Sequence, residues 1–276
     1  MVLGTKKVMS IDELNAYRQA YGTPFMKKEI FTALVVPFVI SFLAVYILFY
    51  YWWLALIAGL TGGVYGYTVL IKISVQRNYN QQAIIQRNRF INNMTQLLTN
   101  PKETIVSSLK WCSQDIIATG EFKEDIDKLL ADLMDAGPKK AQNAFESLGE
   151  KYKKDFVFNL FIDNLLTAFF EGRTDINKLK ELKSWHNDVL EQTNLFVKNK
   201  ERYKLDIRKM HIYPLIVILF LTFAMGFDSY LLYYAHNPIG WISSIIMISV
   251  LSFQFHKFQK RLADDEVMEV TMWNKK

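Results

Sequence analysis

The sequence has a single cysteine, Cys112, which excludes an internal disulfide bond. It has no phosphate-binding Gly-Lys-Ser/Thr motif, and no serine or cysteine lies in a recognisable nucleophile motif. The four histidines, His186, His211, His236 and His256, are far apart, and no two have the spacing of three or four residues that a helical metal site needs. We therefore predict that the protein is not an enzyme, with no catalytic residues, no metal and no cofactor.

Charge is also absent from two long stretches. No charged residue lies between Glu29 and Lys72, a run of about 42 residues, which is twice the ~20 needed to cross ~30 Å of hydrocarbon. The stretch from Ile212 to Phe255 has one charge, Asp228. We predict that each stretch forms a hairpin of two transmembrane helices.

The basic residues lie at the open ends of these hairpins, and neither predicted tip, 50–53 or 233–240, has a lysine or arginine. The positive-inside rule then places both termini and the central segment in the cytoplasm, at the cell membrane. This distribution accounts for the net charge of +6, so we predict no nucleic-acid partner. The predicted domains are a cytoplasmic N-terminal segment (1–29), hairpin 1 (30–73), a cytoplasmic helical domain (74–210), hairpin 2 (211–256) and a cytoplasmic tail (257–276).

Four glycines in the second predicted span form two overlapping small-xxx-small pairs. Gly59 pairs with Gly63, and Gly62 pairs with Gly66. Without side chains at these positions, another helix can approach closely enough for backbone packing. The partner helix is either a span of the same chain or a span of a second subunit, and the sequence leaves both open.

Turn residues divide the central segment into helices. Asn100 is expected to cap the second helix, with Pro101 at its first position and Glu103 reaching back. Six helices with short connections predict a bundle. The fold class is therefore an all-α membrane protein in which four transmembrane helices, in two hairpins, flank a cytoplasmic six-helix bundle. The helices are expected at about 80–99, 100–119, 122–135, 139–151, 156–170 and 175–208.

Two helix faces in this segment suggest contacts. Along the sixth helix, Leu182, Val189, Phe196 and Tyr203 recur every seven residues, which is a narrow apolar seam suited to one neighbouring helix. Acidic residues follow the third helix off its apolar face, and we interpret them as a solvated surface, with an ion site or a basic partner as the alternatives. They are Glu121, Glu124, Asp125, Asp127, Asp132 and Asp135.

Three consecutive helical segments share glycine boundaries and small residues on their inner positions. These segments are 119–134, 135–148 and 159–172. In this order they resemble the cytoplasmic helical domain of the type II secretion system F family, nearest to the Tad-type platform proteins of bacterial and archaeal pili. The flanking hairpins are similar to the Tad-type layout over 30–256, and the chain departs from the family's pattern at Gly137-Pro138 and Ala144-Phe145.

The resemblance implies a non-enzymatic membrane platform that couples a secretion ATPase to the assembly of a pilus, secretion or conjugation-type apparatus. The partners it implies are that ATPase, pilin-like or other apparatus subunits, the lipid bilayer, and a second copy or a paralogous platform subunit in an oligomer. A different function, transport or binding of a small molecule or lipid by the four spans, remains the alternative. A membrane sensor is a third reading, but both hairpin tips are too short to form a receptor domain.

Asp228 is the one acidic residue in the second apolar stretch. It lies about 16 residues into that stretch, which places it roughly 24 Å from the cytoplasmic edge at 1.5 Å per residue. That depth is near the outer boundary of the hydrocarbon. An interfacial or helix-packing role and a functional intramembrane role are both open.

Overall fold

The computed structural model describes residues 11–22, 27–134, 137–172 and 175–262. All regular structure within these ranges is helical. Two π-helical segments, Gly66–Leu70 and Leu231–Ala235, connect α3 to α4 and extend α10. The α-helices are α1 (Ile11–Gln19), α2 (Lys27–Phe49), α3 (Trp52–Tyr65), α4 (Ile71–Leu98), α5 (Ile105–Cys112), α6 (Gly120–Met134), α7 (Pro138–Lys151), α8 (Phe156–Glu171), α9 (Ile176–Met225), α10 (Phe227–Tyr230) and α11 (Pro238–Leu262).

Four helices of the described chain are long and apolar enough to cross a membrane. They are Lys27–Phe49, Trp52–Leu98, Ile176–Met225 and Pro238–Leu262. At most 28% of the apolar window of any of them is buried inside the protein, so most of these side chains face outward, as they would towards hydrocarbon. The all-helical class and the number of apolar helices are thus confirmed within the described ranges.

The helices between α4 and α9 bury their apolar faces in one shared core. Phe90 of α4 lies within 6.2 Å, between ring centroids, of Phe122, Phe158 and Phe161. Edge-to-face aromatic packing of this kind adds to the free energy gained from burial alone. The core side chains of α5 to α8 project from one stripe of each helix, as expected for helices that each have one buried face.

Most helix ends in this region follow the local residues that predicted them. Gly137 precedes α7 with Pro138 at its first position, and Gly172, at φ +67°, ends α8. The side chain of Asp175 accepts a hydrogen bond from the amide of Lys178 and caps α9.

The second helix differs from its prediction. It begins at Ile105, and Thr104 is its N-cap, forming a capping box with Ser107. Asn100 is not the cap, because its side chain accepts a hydrogen bond from the amide of Lys102 within a turn. The helix also ends early, at Cys112. Starting at Ile105 turns the apolar residues of this short helix into the shared core.

Two helices run without interruption from the apolar stretches into the central segment. The helix from Trp52 to Leu98 has no break near residue 74 or 80, and α9 passes residue 210 without interruption. The chain breaks at the polar segment expected at 236–238, between Ala235 and Pro238, and it has an additional break at Gly226, where φ is +79°.

Candidate functional site

Three asparagines join α4 to α9. Asn88 and Asn92 lie one turn apart on α4, and Asn187 lies opposite them on α9. The Asn88 Nδ2 atom donates to Asn187 Oδ1 at 2.8 Å, and Asn92 Nδ2 donates to the same oxygen at 3.0 Å. Asn187 Nδ2 donates back to Asn92 Oδ1 at 3.2 Å. Because each bond needs a donor and an acceptor in matching positions, the set determines which turn of α9 lies against which turn of α4.

His186 extends this network into the core and is fully buried. Its Nδ1 atom lies 3.0 Å from the amide nitrogen of Asn88, and its Nε2 atom lies 3.1 Å from Asp155 Oδ2. An amide nitrogen only donates and a carboxylate only accepts. The two contacts together therefore select the imidazole tautomer with its proton on Nε2.

The Asp155 carboxylate is the point where α4, α8 and α9 meet. Oδ1 accepts from the amide of Phe158, which caps α8, and Oδ2 accepts from Arg87 Nε at 2.7 Å as well as from His186. Burial alone would raise the pKa of Asp155, but the hydrogen bond from His186 and the charge of Arg87 outweigh it and hold the pKa well below its usual range. The carboxylate is therefore ionised at neutral pH.

A second polar cluster ties α6 and α7 to α4. Lys151 Nζ lies 2.8 Å from Glu121 Oε1 and 2.6 Å from Asp125 Oδ1. Tyr152 donates its hydroxyl proton to Asp125 at 2.6 Å, and Tyr79 of α4 donates to Glu121 at 2.7 Å. Burial disfavours the charged forms of Lys151 and Glu121, but their hydrogen bonds and opposite charges outweigh this effect. The pKa of Lys151 is therefore raised and the pKa of Glu121 is lowered.

For two of the acidic residues, this pairing corrects the interpretation of the helix face as solvated. Glu121 and Asp125 are partly buried, with side-chain exposures of 19% and 18%, and they face Lys151 of the same chain. Glu124 and Asp127 are exposed, as expected. Asp135 lies outside the described residues.

A third set of contacts lies where the apolar spans begin. Arg77 of α4 donates to Glu201 of α9 at 2.6 Å, which lowers the pKa of Glu201. Lys200 Nζ donates to the carbonyl oxygen of Arg261 at 3.1 Å, and His211 Nε2 lies 3.0 Å from the carbonyl oxygen of Leu251. These contacts hold α4, α9 and α11 side by side at this level.

The four glycines singled out in the sequence all lie against α2 of the same chain. A Cβ atom added at Gly59 would lie 2.9 Å from the Phe38 ring, and one at Gly62 would lie 2.3 Å from Ser41 Oγ. At Gly63 the nearest atom would be a Leu34 methyl group at 3.3 Å, and at Gly66 the Ala33 carbonyl oxygen at 2.3 Å. The backbones therefore approach most closely at Gly62 and Gly66.

The structure places Asp228 in the first turn of α10, just beyond the glycine that ends α9. Its side chain is exposed. It lies apart from the polar clusters described above, and within the described residues no group of three or more His, Cys, Asp or Glu side chains could hold a metal ion.

Sequence reasoning missed the network around His186 and Asp155. One indication was present: His186 lies four residues after Leu182 and three before Val189, on the apolar seam, where a polar residue needs a buried partner. The partners could not be identified, since Asn88 and Asn187 are 99 residues apart along the chain.

No family model and no solved structure matches the chain. The chain is 36% identical, over 265 residues, to an uncharacterized protein of Bacillus anthracis, pXO2-23, in an alignment that covers 96% of this chain and 95% of that protein. The similarity therefore extends over the apolar helices as well as over α4 to α9.

Proposed function

We propose that this chain, which belongs to the family of the uncharacterized Bacillus anthracis protein pXO2-23, is a non-enzymatic membrane platform. It couples a cytoplasmic secretion ATPase to the assembly of a pilus, secretion or conjugation-type apparatus. In this proposal two hairpins, 30–73 and 211–256, cross the cell membrane. Both termini and the six-helix bundle of residues 74–210 lie in the cytoplasm.

The continuity of two helices supports this proposal most directly. The helix Trp52–Leu98 has 47 residues and Ile176–Met225 has 50, so at 1.5 Å per residue they are roughly 70 and 75 Å long. The hydrocarbon layer is only ~30 Å thick. Each helix therefore extends from the apolar region far into the shared core, and a displacement of that core moves the apolar segments with it.

The polar contacts between these two helices make them suitable for transmitting force together. The asparagine network joins them inside the core, and Arg77 joins Glu201 closer to the apolar segments. Two rigid helices linked at two levels resist sliding and bending more than one helix does. A platform that transmits motion from an ATPase needs this stiffness.

The central region also exposes apolar side chains that suit a protein partner. Trp111, Ile116 and Met134 have exposed fractions of 51%, 89% and 71%. Exposed apolar groups form a docking surface where they are contiguous and do not face lipid. By the resemblance, we assign the partner as a secretion-type ATPase, with pilin-like subunits and a second platform subunit completing the assembly.

The experiment is copurification of a tagged full-length chain from its native host in mild detergent. We expect a hexameric secretion ATPase to copurify, and we expect Ile116→Glu to lower its recovery, since a charge would replace an exposed apolar contact. Lys128→Glu, at an exposed position of α6, is the matched control. Recovery of no ATPase with the unaltered chain would contradict the proposal.

A variant that interrupts α9 tests the coupling itself. Asn199→Pro removes a backbone donor and breaks the helix between the core and the span. We expect the ATPase to copurify normally while apparatus assembly is lost. Normal assembly with this variant would show that the continuity of α9 is not required.

The alternative, small-molecule or lipid transport, draws support from the break at Gly226 beside Asp228. Interrupted helices next to an acidic residue are found at transporter binding sites. Native mass spectrometry of the purified protein would detect a bound small molecule or lipid, and Asp228→Asn would remove it if this function were the correct one.

A further inference from the structure

The segment 195–210 of α9 presents an exposed apolar stripe. At 3.6 residues per turn, the four side chains that form it lie on one side of the helix, adjacent to the side that contacts α4 and α11. They are Leu195, Phe196, Tyr203 and Met210, with exposed fractions of 54%, 43%, 64% and 50%.

The stripe continues a face that is buried elsewhere. Leu182 and Val189 precede Phe196 and Tyr203 at seven-residue intervals, and they are only 6% and 8% exposed. The first half of this seam is thus covered by the core. Its second half is largely exposed: Lys200 Nζ lies 4.4 Å from the centre of the Phe196 ring, yet Phe196 is 43% and Tyr203 is 64% exposed.

Basic residues border the stripe on one side. Lys198, Arg202 and Lys209 are all exposed and lie on the Leu195 side of the stripe, about 100° or more around the helix from Phe196 and Tyr203. A second copy of α9 on this surface would bring the same basic residues together, and like charges at short range are unfavourable. The surface suits an occupant with both apolar and acidic side chains.

The chain itself continues from beside this surface. The carbonyl oxygen of Arg261 accepts a hydrogen bond from Lys200, and Leu262, the last described residue, is 5% exposed. The following residues 263–276 are apolar and acidic in composition. The acidic residues are Asp264, Asp265, Glu266 and Glu269, and the apolar ones are Val267, Met268, Val270, Met272 and Trp273.

The length of this segment is sufficient to cover the stripe. Fourteen residues can extend to roughly 45 Å, whereas the 15-residue rise from Leu195 to Met210 is about 22 Å. Because the segment starts next to Lys200, it can reach either end of the stripe.

We propose that residues 263–276 bind the exposed stripe of α9 in the same chain. Their apolar side chains cover Leu195 and Tyr203, and their acidic side chains pair with Lys198 and Arg202 on the Leu195 side of the stripe. This interaction fastens the end of α11 to the segment of α9 between core and membrane, and it does not depend on the platform function.

Disulfide formation in the full-length protein tests this placement. Tyr203→Cys combined with Val270→Cys places one thiol on the stripe and one in the segment. Lys204→Cys with Val270→Cys is the matched control, since residue 204 is exposed about 100° further around the helix. Cys112 is retained, because it is fully buried and burial raises the pKa of its thiol to about 12, which keeps it unreactive.

We expect the Tyr203→Cys pair, in detergent under mild oxidation, to form a bond within one chain at least ten times faster than the control pair. The linked peptides are quantified by mass spectrometry, and gel mass distinguishes bonds within a chain from bonds between chains. Bonds mainly between two chains would assign the stripe to a second copy and overturn the proposal. Equal rates for both pairs, or no bond in either, would also overturn it.

Charge reversal provides an independent measurement. Arg202→Glu together with Lys198→Glu should slow bond formation by the Tyr203→Cys pair about fivefold or more, as expected for the loss of exposed ion pairs. Lys128→Glu on α6 should leave the rate unchanged. An unchanged rate in the charge-reversed protein would contradict the pairing.

Discussion

The Asp155 carboxylate shows how one buried side chain can connect three helices. It caps α8, receives Arg87 from α4 and contacts His186 of α9. Removing one member of such a buried group leaves the others without a partner, which costs more than the interaction itself contributes. Residues of this kind are therefore more sensitive to substitution than the apolar residues around them.

We predict that Asp155→Asn destabilises the protein by about 3–5 kcal/mol at neutral pH, because Arg87 is left as a buried charge. Asparagine can still cap α8, so the measured change reports the loss of the negative charge and not the loss of the cap. Thermal unfolding in detergent, followed by circular dichroism, measures the difference. Glu150→Gln is the control, since Glu150 and its partner Lys153 are 72% and 67% exposed, and its effect should be within about 0.5 kcal/mol.

The same variant should show a characteristic dependence on pH. The folded state lowers the pKa of Asp155, so on acidification the unfolded chain takes up the proton first and unfolding is favoured. The stabilisation by this carboxylate is complete above its unfolded pKa of about 4 and declines as pH falls below that value. We therefore expect the difference in free energy of unfolding between the unaltered protein and Asp155→Asn to become smaller below pH 4. A difference that does not change with pH would contradict this assignment.

At the scale of elements, the packing of α2 on α3 depends on positions where no side chain fits. We predict that Gly66→Ala weakens this packing by about 1–3 kcal/mol, since the new methyl group would overlap the backbone oxygen of Ala33. Gly63→Ala is the matched control, because its nearest neighbour is a flexible Leu34 methyl group at 3.3 Å. Comparison of unfolding midpoints in one detergent measures the effect, and equal midpoints would show that close approach at Gly66 is not required.

The helices also show which features can be predicted from sequence and which cannot. Ends marked by strong local residues, such as Gly137-Pro138, Gly172 and Asp175, lie within one or two residues of their predicted positions. The start of α5 was predicted wrongly because both Asn100 and Thr104 can cap a helix. A helix that starts after Thr104 places its apolar residues in the core. Local capping residues determine where a helix ends only if packing of the core does not require the helix to end elsewhere.

The break at Gly226 was also missed. Glycine in an apolar span can indicate close packing, as at Gly66, or a left-handed backbone position, as at Gly226. The residue type is the same in both cases. The spacing of four between small residues distinguishes the first case, and a lone glycine gives no such indication.

At the scale of the whole molecule, the sequence predicts composition-driven features well and contacts between distant segments poorly. The four apolar helices follow from two stretches with at most one charge, each long enough for two crossings of the bilayer. The network of Asn88, His186 and Asp155 depends on three segments meeting in space, and no local pattern determines which of them meet.

The proposed orientation of these spans gives a direct test for the whole chain. With both termini in the cytoplasm, the connections near Trp52 and Ile239 lie outside the cell, while Lys128 of α6 lies inside. All three side chains are exposed, so a cysteine in their place reacts with a maleimide wherever the reagent has access. Cys112 is fully buried and contributes little background.

In intact cells, a membrane-impermeant maleimide should label Trp52→Cys and Ile239→Cys, and it should label Lys128→Cys only after permeabilisation. The contrast arises because the hydrocarbon core blocks the charged reagent, whereas the three sites differ little in exposure. Labelling of Lys128→Cys in intact cells, with protection of the other two sites, would invert the orientation and place α4 to α9 outside the cell. A secretion ATPase in the cytoplasm could not then reach them, and the platform function would be contradicted together with the topology.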